Sequence, residues 1–313
     1  MYTIKQPSEI IFGENSLKNY EFPEKCLLIS SKGAKKRGWL ELDSLKKFYI
    51  FDDVESNPSI QTTETIIKDF NNSDFSHIIG LGGGSVMDVA KFVGFKMEKK
   101  KITIPTIFGS GSEVTRISVL KVNNKKQSFH DDKIFTNVAI LDPIFMQNTP
   151  KKIINNAIID ACAQSTEAFD SKNSNIYTKF LCQKGFDNIE QGINESNNLK
   201  IIFGTLLTGL GFGNASTTLG HALSYVFSNE GFSHGHALAF TTQIAHQFND
   251  SIFYPRFKKI VEELNFEKIT LKSNFDDAAE VILQDRKHLD NNPKNVTKND
   301  IKNLLNLIVN HQT

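Results

Sequence analysis

Three of the chain's eight histidines, His221, His234 and His236, sit in GHALSYVFSNEGFSHGHALAF (220–240). Upstream, IIDACAQSTEAF carries Asp160 and Gln164 four residues apart, which puts them on one face if the segment is helical. His221 lies near the start of a helical pattern. His234 follows a Gly-Phe-Ser turn and precedes Gly235. One carboxylate and two imidazoles from separate segments suit a catalytic divalent cation with an open coordination position. The spacing equally allows plain duties: Asp160 as a paired helix acid, Gln164 as a surface amide, the histidines as structural residues.

A second kind of chemistry is suggested by two glycine loops. LGGGSVMDVAK (81–91) follows an apolar run and opens a helical pattern, so Gly82, Gly83 and Gly84 let backbone N–H groups at a helix start approach a phosphate. The loop lacks the GxGxxG fingerprint, and a turn that merely packs is the alternative. IPTIFGSGSEVT (104–115) repeats the strand-then-glycine pattern, with hydroxyls on Ser110, Ser112 and Thr115. Two such loops at the same ends of neighbouring parallel strands would frame one cleft.

These residues need a scaffold, and the pattern around them predicts one. Apolar runs at 26–30, 47–51, 76–83, 102–106 and 137–142 read as strands. Residues 62–70 and 85–95 read as helices between them. That alternation gives right-handed βαβ units and a mostly parallel sheet. IKQPSEIIFG, and SVLKV with KQSFH, read as extra β elements, the latter pair as a hairpin. After Pro143 helical patterns take over. Pro150 is placed to open a long helix, and Thr297 with Asp300 resembles a capping box. We therefore expect an α/β nucleotide-binding domain over 1–148 and an all-α domain, holding metal and substrate, over 149–313.

Composition bounds the class. With 313 residues and a net charge of +1, the chain offers no polybasic surface for nucleic acid or membrane. Cys26, Cys162 and Cys182 have no paired spacing, which argues for reduced thiols and a cytoplasmic location. The first residues show no signal-peptide pattern. IIFGTLLTGLGFG (201–213) is too short to span a bilayer and reads as a buried helix.

Taken in order, GGGSVMDVAK (82–91), PTIFGSGSEVT (105–115), AILDP (139–143), DACAQSTEAF (160–169) and GHALSY with SHGHALA (220–239) resemble the iron-containing (group III) alcohol dehydrogenase family, within the dehydroquinate synthase-like superfold. The resemblance implies a nucleotide on the first domain and a divalent metal held by Asp160, His221 and His234, with Gln164 as a fourth ligand. It also implies that Gly83, Gly84 and Ser85 cradle the pyrophosphate, that Thr106 faces the nucleotide, and that Lys126 stands on its side. The chemistry implied is reduction of a small aldehyde by hydride from a nicotinamide, with a Lewis-acidic metal on the oxygen.

The departures are informative. Gln164 stands where the family usually has His, and an amide oxygen is a harder ligand than imidazole. That favours Fe²⁺, with Zn²⁺ or Mn²⁺ as alternatives. Together with LDNNPKNVTKNDI (289–301), Gln164 resembles the phosphonoacetaldehyde reductase branch, which makes 2-hydroxyethylphosphonate in phosphonate biosynthesis. Ser31 replaces an acid that commonly holds the adenosine ribose. With no carboxylate expected there, Ser31 and the lysines after it favour NADP(H) over NAD(H). Tyr225 replaces a His one turn after His221 and, with His236, is a candidate for proton handling. Ile107 replaces a Thr. Arg116, Lys126 and His130 are the candidates for an anionic substrate tail. The chain is shorter than its typical relatives between Asp170 and Leu199 and after His246, which opens the substrate side or hands its closure to a partner subunit in a homo-oligomer. The rival readings are a general alcohol or polyol dehydrogenase, a dehydroquinate synthase-like lyase, and an inactive nucleotide-binding scaffold.

Overall fold

The computed structural model describes residues 1–123 and 125–310. The chain divides into two compact units, one of Ile4–Pro150 and one that runs from Lys151 onward and includes Met1–Thr3.

The first unit contains β1 (Glu9–Phe12), α1 (Ser16–Asn19), β2 (Cys26–Ile29), α2 (Lys32–Lys36), β3 (Tyr49–Phe51), α3 (Ile60–Phe70), β4 (His77–Gly82), α4 (Gly84–Lys96), β5 (Lys100–Pro105), β6 (Ile117–Val122), β7 (Lys125–His130) and β8 (Val138–Leu141). Six strands form one parallel sheet in the order β1-β8-β5-β4-β2-β3, and β6 pairs with β7 as a separate antiparallel hairpin. The expected βαβ alternation is present. The segment IKQPSEIIFG adds an edge strand, β1, which pairs with β8. The central strands are apolar on both faces because both are covered: Leu27, Leu28, Ile29, Ile78, Ile79 and Ile102 are fully buried. One core cluster packs Ile66 of α3 and Val86, Val89, Ala90 and Val93 of α4 against β2 and β4.

The second unit is helical: α5 (Lys151–Asp170), α6 (Ile176–Asn194), α7 (Asn198–Phe212), α8 (Leu219–Asn229), α9 (His234–Asn249), α10 (Tyr254–Leu264), α11 (Phe275–Leu283), α12 (Arg286–Asn291) and α13 (Lys298–Asn310). α5 opens directly after Pro150. The run at 201–213 lies in α7, whose Ile202, Gly204, Thr205 and Thr208 are buried. The capping box at α13 is formed: Asp300 accepts the Thr297 N–H at 2.9 Å, and Thr297 Oγ1 accepts the Asp300 N–H at 3.2 Å. The core joins Ile159 and Cys162 of α5, Leu223 and Phe227 of α8, and Leu238 and Ala245 of α9. No helix among the described residues is long and apolar enough to cross a membrane.

Candidate metal and nucleotide sites

Helices α5, α8 and α9 bring three donors together. Among the described residues, Asp160, His221 and His234 form a group whose ligand atoms all lie within 4.8 Å of one another. Asp160 Oδ1 is 3.8 Å from His221 Nε2 and 4.0 Å from His234 Nε2. Donors that each bond a common cation at about 2.0–2.2 Å are at most about 4.2–4.4 Å apart, so these pairs fit one centre. Gln164 lies one turn along α5 and donates from Nε2 to Asp160 Oδ1 at 2.9 Å. It is thus adjacent to the group, as i and i+4 spacing requires.

Glu167, a further three residues along α5, supports the group from behind. Its carboxylate bonds His221 Nδ1 and also receives the Gly220 N–H and the Thr218 hydroxyl, the latter at 3.1 Å. A Cβ on Gly220 would lie 2.6 Å from Glu167 Oε1 and 2.8 Å from the Cα of Thr242, so only glycine admits this carboxylate. Burial acts to raise the Glu167 carboxyl, but the charge and hydrogen bond of His221 and the nearby His246 and His288 outweigh it and hold it at about 2. Burial likewise acts to lower His221, but Glu167 and Asp160 outweigh it and raise the imidazole to about 9. With Nδ1 engaged by a carboxylate, Nε2 is the nitrogen presented to a cation.

The remaining candidates in this unit separate. The Tyr225 ring lies parallel to His234, centroids 6.3 Å apart and 14° between planes, and burial raises its phenol. His236 does not join the group of clustered donors. Two residues beyond His234 on α9, it faces away. Its Nε2 meets the Glu267 carbonyl, and its ring packs among Phe232, Phe240 and Phe266 at 5.5, 6.0 and 5.5 Å. His246 is buried against the Thr166 hydroxyl at 2.7 Å. His288, which no sequence motif singles out, lies parallel to His221, centroids 6.1 Å apart.

In the first unit, β4 delivers the chain to Gly83, the N-cap of α4, which has no side-chain cap. The helix start is left open to an anion. The second loop lies against the first: a Cβ on Gly83 would meet Ile107 at 3.1 Å and one on Gly84 would meet Ser110 at 3.1 Å. The glycines therefore let the two loops pack closely against each other. Thr106 is buried and its N–H donates to the Gly82 carbonyl at 2.9 Å. Lys91 of α4 is fully buried. Its ammonium donates to the carbonyls of Ser112, Thr115 and Ile117, and Asp88 accepts the Ser112 hydroxyl at 2.6 Å. The helix that starts at the first loop therefore fixes the second.

Ser31 caps α2, accepting the Ala34 N–H at 3.4 Å. The expectation that no carboxylate stands near it needs correction. Ser30 N–H donates to the Phe51 carbonyl and Val54 N–H to the Ser30 carbonyl, which sets residues 52 and 53 beside this turn. Asp52 pairs with Lys35 and Asp53 with Lys32, each at 2.6 Å. Lys126 and His130 are exposed on β7. Arg116 pairs through Nη1 with Asp132 at 2.9 Å on the exposed face of the hairpin.

A family model described as iron-containing alcohol dehydrogenase matches residues 7–143, and one for the C-terminal part of the same family matches residues 155–284. The 4-hydroxybutyrate dehydrogenase of Clostridium kluyveri is 33% identical over 209 residues, which are 58% of this chain and 56% of that protein. The chain thus spans about half the length of that curated relative. An iron-containing alcohol dehydrogenase from Thermotoga maritima superposes with a TM-score of 0.89, covering 99% of both chains at 24% identity. A sulfoacetaldehyde reductase from Bifidobacterium kashiwanohense, solved with NAD⁺, superposes with a TM-score of 0.90 over 100% of both chains at 20% identity. At those identities the two structures establish the fold.

Proposed function

Because the chain belongs to the iron-containing alcohol dehydrogenase family, we propose that it interconverts a small aldehyde and its alcohol, using a divalent metal and a nicotinamide cofactor. The observation that carries this reading is the convergence of Asp160, His221 and His234, with Glu167 on the far nitrogen of His221. When bound, the metal supplies Lewis-acid polarisation of a carbonyl oxygen and the nicotinamide supplies the hydride. The chain's own part is to hold and orient. Asp160, His221 and His234 hold the cation, with Gln164 beside them, and the carboxylate–imidazole pair fixes which nitrogen faces it. The open start of α4 takes the pyrophosphate, and Lys91 keeps the facing loop in register.

The finer reading is phosphonoacetaldehyde as substrate. It is supported by Gln164 together with the 289–301 segment, and by the shared fold of a protein named for sulfoacetaldehyde, another aldehyde with an anionic tail. For the cofactor, Ser31 in place of an acid favours NADP(H), while Asp52 and Asp53 draw the same turn back toward NAD(H). We propose that both are accepted. The test is oxidation of NADPH and of NADH by Fe²⁺-loaded protein without oxygen, with phosphonoacetaldehyde beside an uncharged aldehyde of similar size. Turnover of the phosphonate alone supports the finer reading. Equal turnover makes the protein a general aldehyde reductase. Nucleotide binding with no turnover and no bound metal makes it a scaffold.

A further inference from the structure

His288 is built like His221 but is used differently. Asp285, the N-cap of α12, accepts the His288 backbone N–H at 3.3 Å and contacts Nδ1 with its other oxygen at 2.6 Å. One carboxylate thus starts the helix and sets the ring. Four ring contacts close on themselves around this place. His221 meets His234 at 5.3 Å and His288 at 6.1 Å, while Tyr225 meets His234 at 6.3 Å and His288 at 5.9 Å. His288 therefore belongs to the same ring cluster as the two histidines that would hold the metal, although it is not one of the clustered donors.

Its chemistry follows from its partners. Nδ1 carries the hydrogen that Asp285 receives, so Nε2 offers a lone pair and acts as an acceptor. His288 is 6% exposed, and among the described residues Nε2 makes no hydrogen bond. Nε2 is not one of the sealed side-chain atoms that lack a partner, so it keeps an opening through which a ligand or water can meet it. The adjoining residues Tyr225 and Asp285 do not meet it: the tyrosine contact is ring against ring, and the carboxylate is committed to the other nitrogen.

We propose that His288 contacts the substrate directly, its Nε2 accepting a hydrogen bond from the hydroxyl of the alcohol. The proposal rests on the reading of Asp160, His221 and His234 as the substrate-side metal site. It makes His288 a discriminating residue, because the alcohol has the O–H donor that the aldehyde lacks. Asp285 is then a positioning residue that fixes the tautomer and the plane of the ring.

The test uses the full chain loaded with Co²⁺, whose visible absorption reports ligands arriving at the cation, and 1-propanol as the probe. Wild type, His288→Ala and His288→Gln are compared for Co²⁺ content, NADH affinity by fluorescence, and 1-propanol affinity from the Co²⁺ band. The expected result is that His288→Ala keeps Co²⁺ and NADH but binds 1-propanol about tenfold more weakly, the size of one lost hydrogen bond to a buried partner. His288→Gln, whose amide oxygen also accepts, recovers part of that loss. In steady state the KM for the alcohol rises more than kcat falls, and the aldehyde KM moves less. Three results overturn the proposal: unchanged 1-propanol affinity in His288→Ala, loss of Co²⁺ from it (which would make His288 a metal holder), or a wild-type band that no 1-propanol shifts. A band that shifts in the predicted way without any hydride transfer would sink the proposed activity and leave the His288 contact standing.

Discussion

Glu167 and His221 are joined carboxylate to Nδ1 across two helices, α5 and α8, with exposures of 1% and 6%. Glu167 sits behind the clustered donors, of which His221 is one. Its job is to fix the tautomer of His221 and keep Nε2 on the cation side. Replacing the carboxylate by the neutral amide in Glu167→Gln is expected to weaken metal binding about 10–100-fold, as loss of an orienting partner behind a ligand does. Competition with a chelator measures it. An unchanged dissociation constant would show that His221 does not depend on Glu167.

Gln164 presents an amide beside Asp160 where an imidazole could stand. Gln164→His would add a softer nitrogen donor at the same helical position. Zn²⁺ affinity is expected to gain at least about tenfold more than Mn²⁺ affinity, by the ligand-softness argument. Parallel chelator competitions with the two ions check it. Equal gains, or none, would place residue 164 outside the coordination sphere.

The proton and the metal compete for His221. A cation needs the neutral imidazole, and in the metal-free protein Glu167 and Asp160 raise His221 to about 9. Below that value each binding event must release a proton. Apparent metal affinity is therefore expected to rise by about tenfold per pH unit between pH 6 and 8 and to level off near 9. The same shift carries a stability consequence with a definite sign. The folded-state value is above the unfolded one, so protonated His221 stabilises the metal-free protein below about pH 6.5, and that contribution is lost as pH rises toward 9. Calorimetric titration with a metal salt in buffers of different ionisation enthalpy counts the protons. A flat profile would contradict the assignment.

Asp52 and Asp53 hold Lys35 and Lys32 beside the Ser31 turn. The double change Asp52→Asn, Asp53→Asn frees both ammonium groups and removes two negative charges. The ratio of NADPH to NADH affinity is expected to rise about tenfold, most clearly at low ionic strength, because these charges are exposed and screened by salt. Nucleotide fluorescence titrations read the ratio. No change would mean that a 2′-phosphate does not reach this turn.

Much of this was legible in the residues. The strand and helix alternation predicted the parallel sheet, and i, i+4 spacing placed Gln164 next to Asp160. Glu167 was legible too. It is seven residues after Asp160 and therefore on nearly the same helix face. The same geometry separates His236 from His234, since residues two apart on a helix do not face each other. Asp52 and Asp53 escaped notice because they flank Ser31 only once β3 pairs beside β2, a neighbour relation that the chain order leaves open. His288 was invisible for a stronger reason. It is 67 residues beyond His221, on a helix of its own, and only tertiary packing lays its ring along that imidazole.

The most direct test of the account is metal content and hydride transfer measured together. Wild type, Asp160→Ala and His221→Ala would be loaded with Fe²⁺ without oxygen, desalted, assayed for iron, and mixed with NADH and a small aldehyde. The account predicts about one iron per chain and NADH oxidation in the wild type. Both variants should lose iron and turnover together while still binding NADH through the first unit. Turnover that survives in a variant without iron, or a wild type that holds no metal, would contradict it.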